Sequence, residues 1–258
     1  MPGDNDGDGV AELEQINHFI DASRAVASAS ELSALVEGFA GDIGFDYFSL
    51  FQHGRRGTGG DGHILVTNYP EAWVERSRAL RYYADDPVFT ASARTVVGFL
   101  ISDVPDLLPL TRRQKRTLEE AVRAGLGDGY SVPAHVPGEA NGLCTFIVRA
   151  GLAVPRRRLP MAQLAGAFAY EAARRLRTRT QHGAPDAPVR LTERQLECVL
   201  LIARGKSDWE IARILGLKED TVTEYVDDAR RRYAVGRRTQ LVVRAIIDGH
   251  ITLQDAAR

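Results

Sequence analysis

The sequence predicts an α+β domain, with an antiparallel sheet between helix layers, followed by an all-α domain of four helices that contains a helix-turn-helix. Short β-rich runs bounded by glycine and proline alternate with helical periodicity between residues 47 and 149. An amphipathic helix follows at 156–177, and capped helical segments fill 191–251. We therefore divide the chain into a disordered acidic tail (1–9), a first domain (10–177), a linker (178–189) and a second domain (190–258).

The elements of the first domain follow from apolar spacing and turn signals. Apolar residues recur at three- and four-residue steps from Val10 to about Phe39, which predicts two amphipathic helices. Thr111 and Gln114 form a capping box that starts another helix, ending near Arg123. The remaining helices are predicted at 69–81, after Pro87, and at 156–177. Strands are predicted at 47–53, 63–68, 99–102, 130–136 and 143–149.

The acidic tail contains a partial calcium-binding pattern. Asp4, Asp6, Asp8 and Gly9 match the first half of an EF-hand loop, but Gln15 stands where the loop needs a bidentate glutamate. No helix is predicted before the pattern. We therefore expect a disordered tail and no metal site or cofactor.

Composition and charge limit the classes of function. The net charge of −1 excludes a basic footprint over the whole chain, so any nucleic-acid binding must be local. Cys144 and Cys198 fall in different predicted domains and are expected to be small buried hydrophobes rather than a disulfide or metal pair. The sequence has no apolar run long enough to span a bilayer and no signal peptide. We expect a cytoplasmic protein without a membrane partner, and none of the common catalytic motifs is present.

The second domain begins with two capping boxes, Thr192 with Gln195 and Ser207 with Glu210. Glycines end both helices, and a third amphipathic helix begins near Glu219. Two helices joined by a tight turn that contains a glycine form a helix-turn-helix, which lays its second helix in the major groove of DNA.

The motifs of this domain occur in a recognisable order: LTERQ, ARGKSDWEIARILGL, TVTEYVDDARRRYAV and RTQLVVRAI. Over residues 191–251 the chain resembles the C-terminal DNA-binding domain of LuxR-type transcription regulators. The resemblance implies that a homodimer binds a palindromic site in double-stranded DNA, with RNA polymerase as a further candidate partner. An apolar stripe on the last helix, Leu241, Val242, Ala245 and Ile246, fits either a dimer contact or the core of the domain.

The third helix of this domain departs from the expected charge. It carries carboxylates where phosphates approach, so cations on its flanks must supply the attraction. The resemblance makes Thr223 and Asp227 the base-reading side chains, and an aspartate there would accept from cytosine N4. Whether the carboxylates read bases or form a solvated face stays open. The predicted DNA-binding residues are Lys206, Lys218, Thr221, Thr223, Asp227, Arg230, Arg231, Arg237 and Arg238.

The segment YPEAWVERSRALRYYADDPVF contains the polar and aromatic side chains of the first domain that best suit a binding site. Tyr69 and Trp73 are four residues apart, which would put them on one helix face, and Asp86 precedes a proline. A phenol, an indole N–H and a carboxylate beside an apolar helix suit a small ligand with a polar head. The same spacing fits core aromatics and a helix cap, so it leaves the choice open.

The pattern Y-P-x-x-W followed by D-P, ahead of a LuxR-type domain, is similar to the acyl-homoserine-lactone-binding domain of quorum-sensing receptors. The similarity covers most of residues 10–177. It implies that Trp73 donates to the lactone carbonyl, that Asp86 accepts from the ligand amide, and that Tyr69 donates to the acyl carbonyl, assisted by Thr145. Ser131 and Gly129 match a second strand. The first strand would turn Ser49, Phe51 and His53 inward, and the second His63 and Leu65.

Two positions depart from that family. Ser77 stands where a tyrosine is usual, and Ile101 where a tryptophan is usual. Both rings normally form the pocket wall, so we expect an enlarged or reshaped pocket for a long-chain or substituted acyl-homoserine lactone, or another signal with an amide-like head. The alternative is a LuxR-type regulator that is independent of ligand or responds to a non-lactone signal.

Overall fold

The computed structural model describes residues 5–52, 65–136, 139, 141–181 and 189–257. The chain divides into two compact units, one of residues 1–135 with 140–184 and one of residues 185–258 with 136–139. Among the described residues, no helix is long and apolar enough to cross a membrane.

The first unit is an antiparallel sheet with helices on both faces. Its helices are α1 (Asn5–Ala25), α2 (Ala29–Asp42), α3 (Glu71–Ala79), α4 (Pro87–Ser92), α5 (Val104–Leu107), α6 (Arg112–Arg123) and α7 (Leu159–Gln181). Short 3-10 turns span Tyr82–Asp85, Ile101–Asp103 and Arg156–Arg158. The strands are β1 (Tyr47–Gln52), β2 (Leu65–Thr67), β3 (Phe99–Leu100), β4 (Leu126–Ala134) and β5 (Gly142–Arg149), in the spatial order β2-β1-β5-β4-β3.

Alternation along β1 separates the two faces of the sheet. Phe48, Leu50 and Gln52 are fully buried, whereas the side chains between them are partly exposed. The helix α7 packs against β4 and β5, where Gly166 of α7 approaches Val132. The opposite face therefore remains for a different layer, which includes α6 packed against β4.

The register aligns a row of small polar side chains across three strands. Ser49 on β1 lies opposite Thr145 on β5, and Thr145 lies opposite Ser131 on β4. Gly129 lies opposite Ile147 next to a bulge in β4, and a Cβ atom at Gly129 would stand 2.4 Å from the carbonyl oxygen of Phe146. The close approach of the two strands therefore requires a glycine there.

The second unit consists of helices α8 (Glu193–Ala203), α9 (Asp208–Leu215), α10 (Glu219–Arg232), α11 (Arg238–Ile247) and the short α12 (Leu253–Ala256). The predicted capping boxes at Thr192 and Ser207 are confirmed, as is the one at Thr111. Gly216 ends α9 in the left-handed conformation with φ of 67°. The α11 stripe belongs to the core of this unit, because Leu241 and Ala245 are fully buried in it and Val242 and Ile246 pack against it.

Several boundaries differ from the sequence prediction. Helix α1 begins at Asn5, inside the predicted tail, and α7 continues to Gln181, inside the predicted linker, because extending an existing helix costs less than nucleating one. Helix α3 begins at Glu71, so Tyr69 precedes the helix on which Trp73 lies. His53, His63, the loop between them, Asp4 and residues 182–188 lie outside the described residues, as does the side chain of Leu65.

Candidate signal-binding cavity and nucleic-acid interface

A cavity of about 980 Å³ lies in the first unit and is lined by residues of β1, β5, α3, α4 and α6, among others. Small-molecule sites in proteins fall in the range of about 300–1,000 Å³ and combine an apolar wall with a few polar groups. Seven of the eight predicted ligand residues line it: Ser49, Phe51, Tyr69, Trp73, Asp86, Ile101 and Thr145. Their role toward a ligand stays a prediction.

Ser131, the eighth, is not among the lining residues. It is fully buried, and its hydroxyl lies 3.1 Å from Oγ1 of Thr145. Thr145 does line the cavity, so Ser131 orients a lining hydroxyl rather than facing the cavity itself.

Asp86 is both a helix cap and a cavity residue. Its Oδ1 accepts hydrogen bonds from the backbone N–H groups of Val88 at 2.8 Å and Phe89 at 3.3 Å, which caps α4. Burial raises the pKa of the Asp86 carboxyl, and the two backbone hydrogen bonds act against that rise. Among the described residues Oδ2 has no hydrogen-bond donor. The cap and ligand interpretations of this residue are therefore compatible.

Tyr69 contributes a neutral phenol to the same cavity. Burial raises the pKa of Tyr69, the Asp86 charge raises it further, and a hydrogen bond with Ser49 lowers it in part. The Tyr69 ring meets Tyr47 edge to face at 6.4 Å. A phenol that stays protonated retains an O–H group that can donate a hydrogen bond.

Trp73 is supported by a polar cluster that joins α3 to α6. Its ring lies 5.8 Å from the ring of Tyr82, and the Tyr82 hydroxyl donates to Glu120. The same Glu120 oxygen accepts from Nε and Nη2 of Arg76 at 3.0 and 2.9 Å. Among the described residues the Trp73 indole N–H has no hydrogen-bond acceptor, so it is available to a ligand.

Sequence reasoning missed a large part of the cavity wall. Leu143 and Ile147 alternate with Thr145 along β5, so strand periodicity would have identified them once Thr145 was chosen. Four further residues form one face of α6, and only tertiary packing directs that face toward the cavity: Thr117, Leu118, Ala121 and Val122. Ser77 and Ile101, the two departures from the family pattern, both line the cavity.

Metal and thiol chemistry have no support in the described part of the chain. No group of three or more His, Cys, Asp or Glu side chains is arranged there to hold a metal ion. Cys144 and Cys198 are both buried and unpaired with each other, and burial raises the pKa of each thiol, that of Cys198 to about 11. A raised pKa disfavours the reactive thiolate, as expected for structural cysteines.

In the second unit, α10 carries Thr221, Thr223, Asp227, Arg230 and Arg231. Most of the predicted DNA-binding cations already contact protein carboxylates. Arg230 contacts Asp227 at 2.8 Å and Lys206 contacts Glu210 at 3.7 Å, while Arg231 and Arg238 pair with Asp228 and Asp208. Lys218, just before α10, has no ion pair among the described residues. Phosphates must therefore compete with internal carboxylates for several cations.

Arg230 and Arg238 differ from freely exposed phosphate contacts. Arg230 also donates to the backbone carbonyl of Gly236, and Arg238 donates to that of Lys206 at 2.6 Å. Both side chains are only about one-third exposed, at 35%. Arg238 therefore joins α11 to α9, and Arg230 joins α10 to the loop that follows it, in addition to any contact with DNA.

Comparison with known proteins identifies a matching family for each of the two units. Residues 28–173 match the autoinducer binding domain family, and residues 189–245 match the luxR family of bacterial regulatory proteins. The transcriptional activator protein AhyR of Aeromonas hydrophila is 25% identical over 247 residues, which are 92% of this chain and 90% of AhyR.

Two further relatives are quorum-sensing or putative regulators. The quorum sensing-dependent regulator RpaR of Rhodopseudomonas palustris is 28% identical over 235 residues, 91% of this chain and 94% of RpaR. The putative regulator y4qH of Sinorhizobium fredii is 29% identical over 188 residues, 73% of this chain, and the match spans 57% of the length of y4qH.

Among solved structures, Escherichia coli SdiA superposes with a TM-score of 0.63 at 24% identity, covering 93% of this chain and 98% of SdiA. SdiA in complex with octanoyl-rac-glycerol gives 0.61 at 23% identity, covering 95% and 97%. These likenesses show the fold: an α+β domain followed by a helical domain.

Proposed function

The chain belongs to the LuxR family of quorum-sensing transcription regulators with an autoinducer-binding domain, and on that premise we propose that it senses an acyl-homoserine lactone or a related acyl-amide signal. The signal occupies the cavity of the first unit. A homodimer then binds a palindromic site in double-stranded DNA, in the cytoplasm, and RNA polymerase is a further candidate partner.

One observation carries this proposal. Tyr69, Trp73 and Asp86, which come from a turn, a helix and a helix cap, line the same cavity. They supply one phenol donor, one indole donor and one carboxylate acceptor, which match the two carbonyls and the single N–H of an acyl-homoserine lactone head. The lining also includes Phe51, Phe89 and Leu143, apolar surface suited to an acyl chain.

Signal binding would favour the DNA-competent state by linkage. A ligand that binds the folded state stabilises it in proportion to the logarithm of its concentration relative to Kd. Filling a cavity of about 980 Å³ also adds apolar contacts to the sheet and to α3 and α6, the elements around it. A folded and dimeric protein then presents two copies of α10 to a palindrome.

Thermal unfolding of the full-length protein against a series of acyl-homoserine lactones of graded chain length tests the proposal. At one hundred times Kd, linkage stabilises the fold by about 2.7 kcal/mol, which corresponds to a shift in Tm of roughly 5–10 °C. We expect a clear chain-length optimum. A folded, DNA-binding protein that no lactone stabilises would contradict the lactone proposal and favour a ligand-independent regulator.

A non-lactone acyl signal is the second candidate, because Ser77 and Ile101 occupy wall positions where the lactone-binding family usually has rings. The fold neighbour SdiA binds octanoyl-rac-glycerol, so a monoacylglycerol of matched chain length belongs in the same series. A larger shift with the glycerol ester than with the lactone of equal chain length would favour this candidate.

A further inference from the structure

The carboxylate of Asp208 joins three helices of the second unit. Asp208 lies in the first turn of α9, and its Oδ1 accepts a hydrogen bond from Arg238 at the start of α11. Its Oδ2 accepts from Oγ1 of Thr223 on α10 at 3.1 Å. The Asp208 side chain is only 21% exposed, whereas Thr223 is on the surface.

This contact determines the direction of the Thr223 hydrogen bond. A carboxylate accepts hydrogen bonds and has no proton to donate, so the Thr223 hydroxyl is the donor to Asp208. A threonine hydroxyl has a single proton and two lone pairs. With its proton directed at Asp208, the Thr223 oxygen can only accept from a further partner.

Asp227, four residues after Thr223, lies on the same side of α10 and is also an acceptor. Its Oδ1 accepts from Nη1 of Arg230 at 2.8 Å, and its other oxygen remains an acceptor for a partner in the groove. The two side chains proposed to read bases therefore both present acceptors to DNA.

The bases differ in whether they offer a hydrogen-bond donor to these acceptors in the major groove. Its hydrogen-bond donors are the N4 amino group of cytosine and the N6 amino group of adenine, whereas guanine and thymine present acceptors at the corresponding positions. Resting on the DNA-binding function proposed above, we propose that Asp208 is a positioning residue that makes Thr223 an obligate acceptor, so that α10 selects cytosine or adenine at the base that Thr223 faces.

A nearly isosteric substitution should reverse this selection. In Asp208→Asn, the amide oxygen still accepts from Arg238, and the amide nitrogen can donate to the Thr223 oxygen. The Thr223 proton is then free to point into the groove. The preferred base at this one position should change from cytosine or adenine to guanine or thymine, by about five- to ten-fold in relative affinity.

Selection of binding sites from a random duplex library by the full-length protein tests this inference. Wild type, Asp208→Asn and Thr223→Val are compared, each without ligand and with the graded lactone series. Glu197→Gln is the matched control, because it removes one exposed carboxylate that pairs with Arg194 on α8. Thr223→Val should abolish the preference at the same base pair, and Glu197→Gln should leave the whole site unchanged.

The possible outcomes distinguish a failure of the Asp208 inference from a failure of DNA binding itself. The inference is supported if Asp208→Asn reverses the base preference at the same position where Thr223→Val abolishes it. Sites enriched by all variants with an identical base preference would overturn it while leaving DNA binding intact. Thermal unfolding of each variant confirms that it is folded, and if Asp208→Asn fails to fold, Thr223→Val decides alone, since Thr223 is exposed. If folded wild type enriches no sequence under any condition, DNA binding itself is overturned.

Discussion

The ring of Tyr82 packs on Trp73 with centroids 5.8 Å apart, while its hydroxyl donates to the carboxylate of Glu120 on α6. Glu120 also accepts two hydrogen bonds from Arg76 on α3. The orientation of the Trp73 indole, the proposed donor to the lactone, is thus supported by a carboxylate that does not itself line the cavity.

We expect Glu120→Gln to lower Tm at neutral pH and to weaken the lactone response. Hydrogen bonds from Tyr82 and Arg76 lower the pKa of Glu120 below its ordinary value of 4.5. The stability contributed by an Asp or Glu with a lowered pKa is present above the unfolded-state pKa and is lost as pH falls through the folded-state pKa. The difference in Tm between wild type and variant should therefore shrink below about pH 4.5.

Thermal unfolding at a series of pH values measures this difference. Glu119→Gln is the control, because Glu119 is exposed and, within the described part of the chain, pairs with Arg123 alone, at 3.4 Å. A difference in Tm for Glu120→Gln that is constant across the pH series would contradict the assigned role of the carboxylate.

We expect Asp86→Asn to leave the ligand-free fold as stable as wild type or more so, while reducing the lactone shift. Asparagine caps a helix about as well as aspartate, so α4 keeps its cap. The pKa of Asp86 is raised, so its contribution to stability is present below the unfolded-state pKa and is lost as pH rises through the folded-state value. At neutral pH this stability is absent, and asparagine, which carries no charge, avoids the free-energy cost of burying a carboxylate.

The ligand loses a hydrogen bond to a charged acceptor, worth about 1.5–3 kcal/mol, or roughly 10- to 150-fold in Kd. Isothermal titration with the best lactone measures it. Asp103→Asn, an exposed carboxylate outside the cavity lining, should bind like wild type. An unchanged Kd for Asp86→Asn would remove Asp86 from the proposed site.

We expect Ser77→Tyr combined with Ile101→Trp to shorten the preferred acyl chain. Both positions line the cavity, and the added rings would occupy volume otherwise open to the ligand. Each buried methylene contributes about 0.8 kcal/mol, so the loss of room for even two methylenes changes the ranking of the lactones measurably. The chain-length profile of Tm shifts reports the change. Val96→Tyr adds a ring at an exposed site, and a profile shifted equally there would refute the explanation.

We expect Gly129→Ala to destabilise the first unit by about 1–3 kcal/mol, because the new Cβ would lie 2.4 Å from the Phe146 carbonyl oxygen and 2.8 Å from Cγ1 of Ile147. Gly38→Ala is the matched control. Gly38 lies within α2, and apart from the neighbouring backbone of that helix no atom of the described residues comes within 4 Å of the added Cβ, so alanine should stabilise by about 0.5–1 kcal/mol. Urea unfolding measures the change in the free energy of unfolding for both variants. Equal changes would mean that the close approach of β4 and β5 does not require glycine at position 129.

Much of the fold was predictable because its signals are local. A capping box involves residues three apart, so Thr111, Thr192 and Ser207 identified helix starts without knowledge of the rest of the chain. Tyr69 was predicted on a helix and instead precedes it, since Pro70 takes the N-cap position and the helix begins one residue later. The error did not affect the site, because Tyr69 still lines the cavity.

The sequence by itself determined the two kinds of unit, the helix caps, the strand pattern and, through its motifs, the family. Only the tertiary structure decided which side chains support the cavity wall, since Tyr82 and Glu120 are 38 residues apart and meet only when α6 packs beside the Tyr82 turn. It also decided that Asp86 caps a helix and lines a cavity at once, and that Arg238 and Thr223 share Asp208. Side-chain spacing specifies local helices and strands, whereas hydrogen-bond partners distant along the chain are selected by the packing of whole elements.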